Sequence, residues 1–129
     1  PNCYLQMECP TVLYEGGYVY LIASTKDRAV DHPAEANTAV RAWRAPALEG
    51  PWEPAGADGR DLILDHSHQL YAATFVRLPG EGRQVFATGF FSESHARAYS
   101  WAPLMPVVWH GSSPGVVTQE ELTSLAAPR

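Results

Sequence analysis

The sequence predicts an all-β chain built as antiparallel four-stranded blades of a partial β-propeller, and three observations carry that prediction. Apolar and aromatic residues alternate with period two along most of the chain. The 10 glycines and 11 prolines are spread along all 129 residues, which suits many short strands closed by turns. The order of features in the first half also recurs in the second.

Taken in order, Thr11–Glu15 and Tyr18–Ser24 are β-branched and aromatic runs separated by Gly16-Gly17, the pattern of a tight hairpin. Thr38–Ala45 is the third strand. Its partition is imperfect, because Arg41 shares a face with Ala39 and Trp43 while Arg44 shares one with Val40 and Ala42. Leu62–Asp65 is a short fourth. A second set follows as Leu70–Leu78, Arg83–Phe91, Arg97–Ala102 and Pro106–His110. Only Pro33–Asn37 and Gln119–Leu125 have helical character, and each is short enough to be a turn or a terminal helix.

Each set therefore has a first strand, a glycine turn, an aromatic second strand, a third strand with tryptophan and a short fourth. Trp43 and Trp101 are matched on this alignment, as blade-packing residues. The expected organisation is a first blade over 1–65, a second over 66–118 and a tail over 119–129. Periodicity alone equally allows an eight-stranded sandwich or barrel. Two blades do not close a ring.

Composition narrows the function. Nine basic residues against 14 acidic ones give a net charge of −5, and the basic ones stand singly apart from Lys26/Arg28 and Arg41/Arg44. There is no phosphate-tracking stripe, so neither nucleic acid nor an anionic membrane surface is expected as a partner. No apolar run approaches the roughly 18 residues of a membrane-spanning helix. The chain opens Pro-Asn-Cys, without a start methionine or a basic-then-apolar leader, which suggests a beginning inside a longer product. Cys3 and Cys9 would lie about 20 Å apart on one straight strand, too far for a disulfide unless a turn intervenes. The compartment stays open.

Glu8 is the first candidate for chemistry. It is a carboxyl group among apolar neighbours, just before a predicted first strand and next to Pro10, which has no backbone N–H. A carboxyl group desolvated in a cavity can keep its proton near neutrality, as a general acid must. On composition alone, a surface glutamate at a strand end is the competing reading. Asp65 and His68, in Asp65-His66-Ser67-His68, precede the first strand of the second set and are placed to line a central cavity and hydrogen-bond sugar hydroxyls. His66 and His68 share a face as metal ligands do, but two ligands are too few, and no metal or cofactor is expected. Ser92-Glu93-Ser94-His95 falls in a polar loop where nothing orients a triad. Trp109 is the least constrained of the four tryptophans, and its ring face is a candidate sugar platform.

The run from Glu8-Cys9-Pro10 through Gly16-Gly17 to Tyr18-Val19-Tyr20-Leu21-Ile22-Ala23-Ser24 resembles the acid/base region of five-bladed β-propeller glycoside hydrolases. Family 32, of invertase, levanase and inulinase type, carries the Glu-Cys-Pro wording. Family 43, of arabinanase and xylosidase type, carries a related Glu-x-Pro and Tyr-Tyr-Leu-x-x-Ser strand. Gly50-Pro51-Trp52 is similar to a blade-closing turn of both, and Gly115–Leu122 to a weak form of the segment that ends a family 32 propeller, without its Leu-Pro-Arg wording. The resemblance implies Glu8 as acid/base in a glycosidase acting on fructan-, arabinan- or xylan-type glycosides. It implies two further carboxylates in Asp-Pro motifs, and no Asp-Pro dipeptide occurs here. The expectation is thus an incomplete enzyme, or an inert carbohydrate-binding module, that self-associates or takes its missing blades from a partner chain.

Overall fold

Among the residues that the computed structural model describes, 6–28, 36–64, 70–92 and 99–127, ten strands form two antiparallel sheets. The first sheet runs β1 (Gln6–Glu15), β2 (Tyr18–Arg28) and β3 (Ala36–Ala45), with β4 (Glu53–Pro54) and β5 (Leu62–Leu64) sharing the outer edge of β3. Gly16 and Gly17 join β1 to β2 at φ +54° and +83°. Two positive φ values make the tight hairpin turn whose twist matches the strands, and glycine reaches them without a Cβ penalty.

The second sheet contains β6 (Leu70–Arg77), β7 (Val85–Ser92), β8 (Tyr99–Trp101), β9 (Met105–His110) and β10 (Ser113–Val116). Its order is β10-β9-β7-β6, and β8 also pairs with β7. This corrects the sequence expectation at one place. Pro106–His110 belongs to the third strand, because β9 continues beside β7 where β8 stops. Pro103, which has no N–H to donate, interrupts the ladder. The Ala102 amide still donates to the Gly89 carbonyl at 2.9 Å, so the break is local. The fourth strand is β10, which its Pro114-Gly115 centre conceals from a propensity reading.

The two registers also overturn the pairing of Trp43 with Trp101. One rung of the first sheet is Glu8, Ser24, Val40, and the corresponding rung of the second is Tyr71, Phe90, Trp101. Another rung is Val12, Leu21, Trp43, matched by Phe75, Ala87, Met105. Trp43 therefore corresponds to Met105, and Trp101 to Val40.

Both sheets press one face into a single core. Leu13, Tyr20, Ile22 and Val40 of the first pack in the same cluster as Leu70, Ala73, Phe75, Ala87 and Met105 of the second. The outlying arginines of β3 are each engaged. Arg41 pairs with Asp61 at 2.7 Å and donates from Nε to Thr25 Oγ1 at 3.1 Å. Arg44 pairs with Glu53 at 2.7 Å, donates to Ser112 Oγ across the seam, and lies 5.2 Å from the Tyr18 ring centroid. Beyond the sheets, α1 (Gln119–Ala126) begins in a capping box. Thr118 Oγ1 accepts from the Glu121 amide at 3.3 Å, and Glu121 Oε2 accepts from the Thr118 amide at 2.7 Å. No helix among the described residues is long and apolar enough to cross a membrane.

Tyr20 gives the seam a pH signature. Its hydroxyl donates to the Ser112 carbonyl at 2.8 Å. Burial raises its pKa above the ordinary 10.0, with Arg44 pulling the other way and Tyr18 and Glu15 adding smaller increases. A group with a raised folded pKa contributes stability that is intact below its unfolded value and lost as pH rises through the folded one. Stability is therefore expected to fall from about pH 10 upward, and Tyr20→Phe to flatten part of that fall. Urea unfolding across the alkaline range measures it, and equal slopes for both chains refute it.

Candidate functional site

The site begins with a defect shared by β1 and β6, the neighbouring first strands of the two sheets. The β1–β2 register jumps between Glu8 and Thr11, where Cys9 has φ +52°. The β6–β7 register jumps between Tyr71 and Thr74, where Ala72 has φ +51°. A bulge inserts an extra residue, bends the strand and re-aims the side chain beside it. Pro10 suits the first bulge because it needs no ladder donor there.

The second bulge is braced by the first sheet. The Ala73 amide donates to Ser24 Oγ at 3.0 Å, and both residues are buried. Gly89 lets β7 approach, since a Cβ there would lie 2.7 Å from the Tyr71 carbonyl oxygen and 3.3 Å from Ala73 Cα.

These twin bulges bring Glu8 and Tyr71 together, and the Tyr71 hydroxyl donates to Glu8 Oε2. Glu8 is partly exposed, with its second oxygen unbonded among the described residues. At the far ends of the same strands, Arg77 pairs with Glu15 and donates to the Tyr14 carbonyl at 3.0 Å. The two strands are thus tied at both ends. A carboxyl group held on one side by a phenol and open on the other can exchange a proton with a bound hydroxyl or ether oxygen.

Tyr71 was not singled out in the sequence. The available signal was a threonine three residues after each member of the pair, in Glu8-Cys9-Pro10-Thr11 and Tyr71-Ala72-Ala73-Thr74. Asp65 and His68 lie outside the described residues, as do Glu93, Ser94, His95 and Cys3. Trp109 is not brought to Glu8. It sits on β9 at the end of the sheet opposite the bulges, its ring 5.1 Å from Tyr20 and packed against the core. Cys9 is a free, exposed thiol. No group of three or more potential metal ligands occurs among the described residues.

A cleft of about 660 Å³ opens at the turn end, between the Gly16-Gly17 hairpin, the bend after β3 and the flanks of the β6–β7 loop. Glu15, on its wall, is seven residues beyond Glu8, or roughly 20 Å along a strand. The cleft is therefore separate from the carboxylate–phenol pair, and chemistry rather than volume marks Glu8 as the candidate reacting group.

No family model matches the sequence, and neither does any curated protein. Solved structures do match. A Bacillus megaterium levansucrase shares 19% identity at TM-score 0.66, over 90% of this chain and 28% of its own. A Bacillus subtilis levansucrase in complex with oligosaccharides shares 18% at 0.65, again over 90% and 28%. A Cellvibrio cellulosa α-L-arabinanase complexed with arabinohexaose shares 20% at 0.65, over 96% and 40%. These are propeller structures. The fold is that of a β-propeller. Each of the two sheets has the antiparallel strand pairing of a propeller blade, and the chain spans well under half the length of each structure named.

With the propeller in view, β1 and β6 are the innermost strands of adjacent blades. A blade packs one face on the blade before it and the opposite face on the blade after it, so the seam between the two shows what each outer flank is built to meet. Phe75, Ala87 and Met105 of the second blade pack in the seam, and the same rung of the first blade, Val12, Leu21 and Trp43, lies on its other face. Val12 is 52% exposed there.

Proposed function

We propose that the chain is a two-blade portion of a carbohydrate-active propeller in which Glu8 is the general acid/base and Tyr71 the residue that positions it. The observation that carries this reading is the Glu8–Tyr71 hydrogen bond at the paired bulges of two innermost strands. The levansucrase and arabinanase likeness supports the carbohydrate class, and the Glu8-Cys9-Pro10 wording favours a family 32 type of site.

Glycoside cleavage needs a second carboxyl group opposite the acid. Five of the described carboxylates are engaged or placed elsewhere. Glu15, Glu53 and Asp61 are in ion pairs, Glu121 caps α1, and Glu49 lines the distant cleft. The second carboxyl group comes from a further blade seated on the Val12–Trp43 flank. Asp65 and His68 are the proposed donors of contacts to sugar hydroxyls.

Exchanging the chain for the arabinanase segment that it overlays tests this. Released sugar from arabinan, fructan or xylan is expected from the joined propeller and lost on Glu8→Gln. Turnover by the isolated chain that survives Glu8→Gln refutes the assignment, and sugar binding by a folded joined protein without turnover makes the chain an inert binding module.

The flank also predicts association. A soluble monomer rarely exposes an extended apolar face. The isolated chain is expected to self-associate or to take up a partner's blades. Light scattering that shows a monomer at every concentration removes that expectation.

A further inference from the structure

We propose that the cleft at the turn end of the two blades is a second, non-catalytic binding site for a neutral oligosaccharide. Its walls come from β1, β2, the bend after β3 and the β6–β7 loop, so all of its lining belongs to this chain. Its volume of about 660 Å³ lies within the range of ordinary small-ligand sites.

The lining defines the ligand class. Tyr14 is 60% exposed and offers an open ring. Tyr18 is fixed, with Arg44 5.2 Å from its ring centroid and Tyr20 edge-on at 6.3 Å, so holding a ligand costs it little rotational freedom. Glu15 and Arg77 neutralise each other in an ion pair, and Glu49 and Arg83 add one charge of each sign. An anion meets the carboxylates and a cation meets the guanidiniums. An apolar ligand would strip water from all four without replacing it. A polyhydroxylated neutral molecule satisfies both kinds, because each hydroxyl donates and accepts. Its C–H faces lie on the tyrosine rings.

The choice of a sugar rests on the carbohydrate reading above, but the site itself does not use Glu8. The test is a titration of the isotope-labelled chain with neutral arabino-, fructo- and xylo-hexasaccharides, followed by backbone amide shifts. At least one is expected to move Gly16, Gly17, Tyr18 and Leu48. Tyr14→Ala and Arg83→Ala are each expected to weaken binding about tenfold, and Glu8→Gln to change it by less than about twofold. Arg83 is exposed on a loop, so its replacement leaves the fold intact if Tyr14→Ala does not. Shifts confined to the surroundings of Glu8 and Tyr71 overturn the second site while sparing the carbohydrate reading. Shifts produced only by inorganic phosphate, or by none of the sugars, overturn it outright.

Discussion

Glu8→Gln in the joined propeller is expected to lower kcat by about a thousandfold, within the range that one general acid contributes. Glutamine keeps the size of glutamate, and its amide oxygen still accepts from the Tyr71 hydroxyl, so substrate binding and folding stay near normal. It carries no proton to give a leaving group. Tyr71→Phe keeps the ring and removes the hydroxyl that holds Glu8 Oε2. Losing the one hydrogen bond that holds the carboxyl group is worth about 1–3 kcal/mol of positioning, so a loss of roughly fivefold to a hundredfold in kcat is expected, with KM little changed. Steady-state kinetics on the two variants separate these roles. A Glu8→Gln protein that keeps most of its kcat ends the assignment, and a Tyr71→Phe protein altered only in KM ends the positioning role.

Gly89→Ala is expected to cost about 2–3 kcal/mol, the upper part of the range for overpacking a buried site. Two backbone atoms stand in the way of the new methyl group, the Tyr71 carbonyl oxygen at 2.7 Å and Ala73 Cα at 3.3 Å. Backbone cannot rotate aside as a side-chain tip can, so β7 must separate from the β6 bulge. The same displacement pulls Tyr71 from Glu8 and loosens the Ala73–Ser24 bond that braces the bulge. Gly80→Ala is the comparison. Gly80 has φ +86° and no atom within 4 Å of the added Cβ, so its cost is the conformational one of about 1–2 kcal/mol, paid in a loop far from the bulge. Thermal unfolding of both is expected to place Gly89→Ala several degrees lower. Equal melting temperatures mean that the β6 bulge yields without strain.

Much of the first blade was legible because its signals are local. Gly16-Gly17 between two alternating runs specifies a hairpin, and the structure joins Glu15 to Tyr18 across that turn. Gln119–Leu125 was legible as a short stretch of helical character, where α1 forms over Gln119–Ala126. Glu8 was legible as a carboxyl group in an unusual setting beside proline. The second blade was harder. Pro103 splits its third strand into β8 and β9, and a proline-glycine pair occupies its fourth, so a propensity reading took β9 for the fourth strand and missed β10.

The matching of Trp43 with Trp101 failed for a deeper reason. Rungs of a sheet are set by pairing, and each bulge or break adds a residue that pairing does not count. Sequence offsets between the blades therefore drift from rung to rung, and a shared residue type misleads where a shared rung does not. Tyr71 stayed hidden for the same reason, since only the register shows that it stands where Glu8 does.

What the sequence by itself determined is the all-β class, the hairpin that opens the first blade, the repeat of strand order and one carboxyl group worth testing. Alternation and turn chemistry act over a few residues and are written where they act. What only the tertiary structure decided is which residues meet. The phenol on Glu8, the serine brace under the β6 bulge and the seam between Tyr20, Arg44 and Ser112 join positions 49 to 92 residues apart. Contacts at that separation depend on how bulges set register and how two blades face each other, and no local pattern carries either.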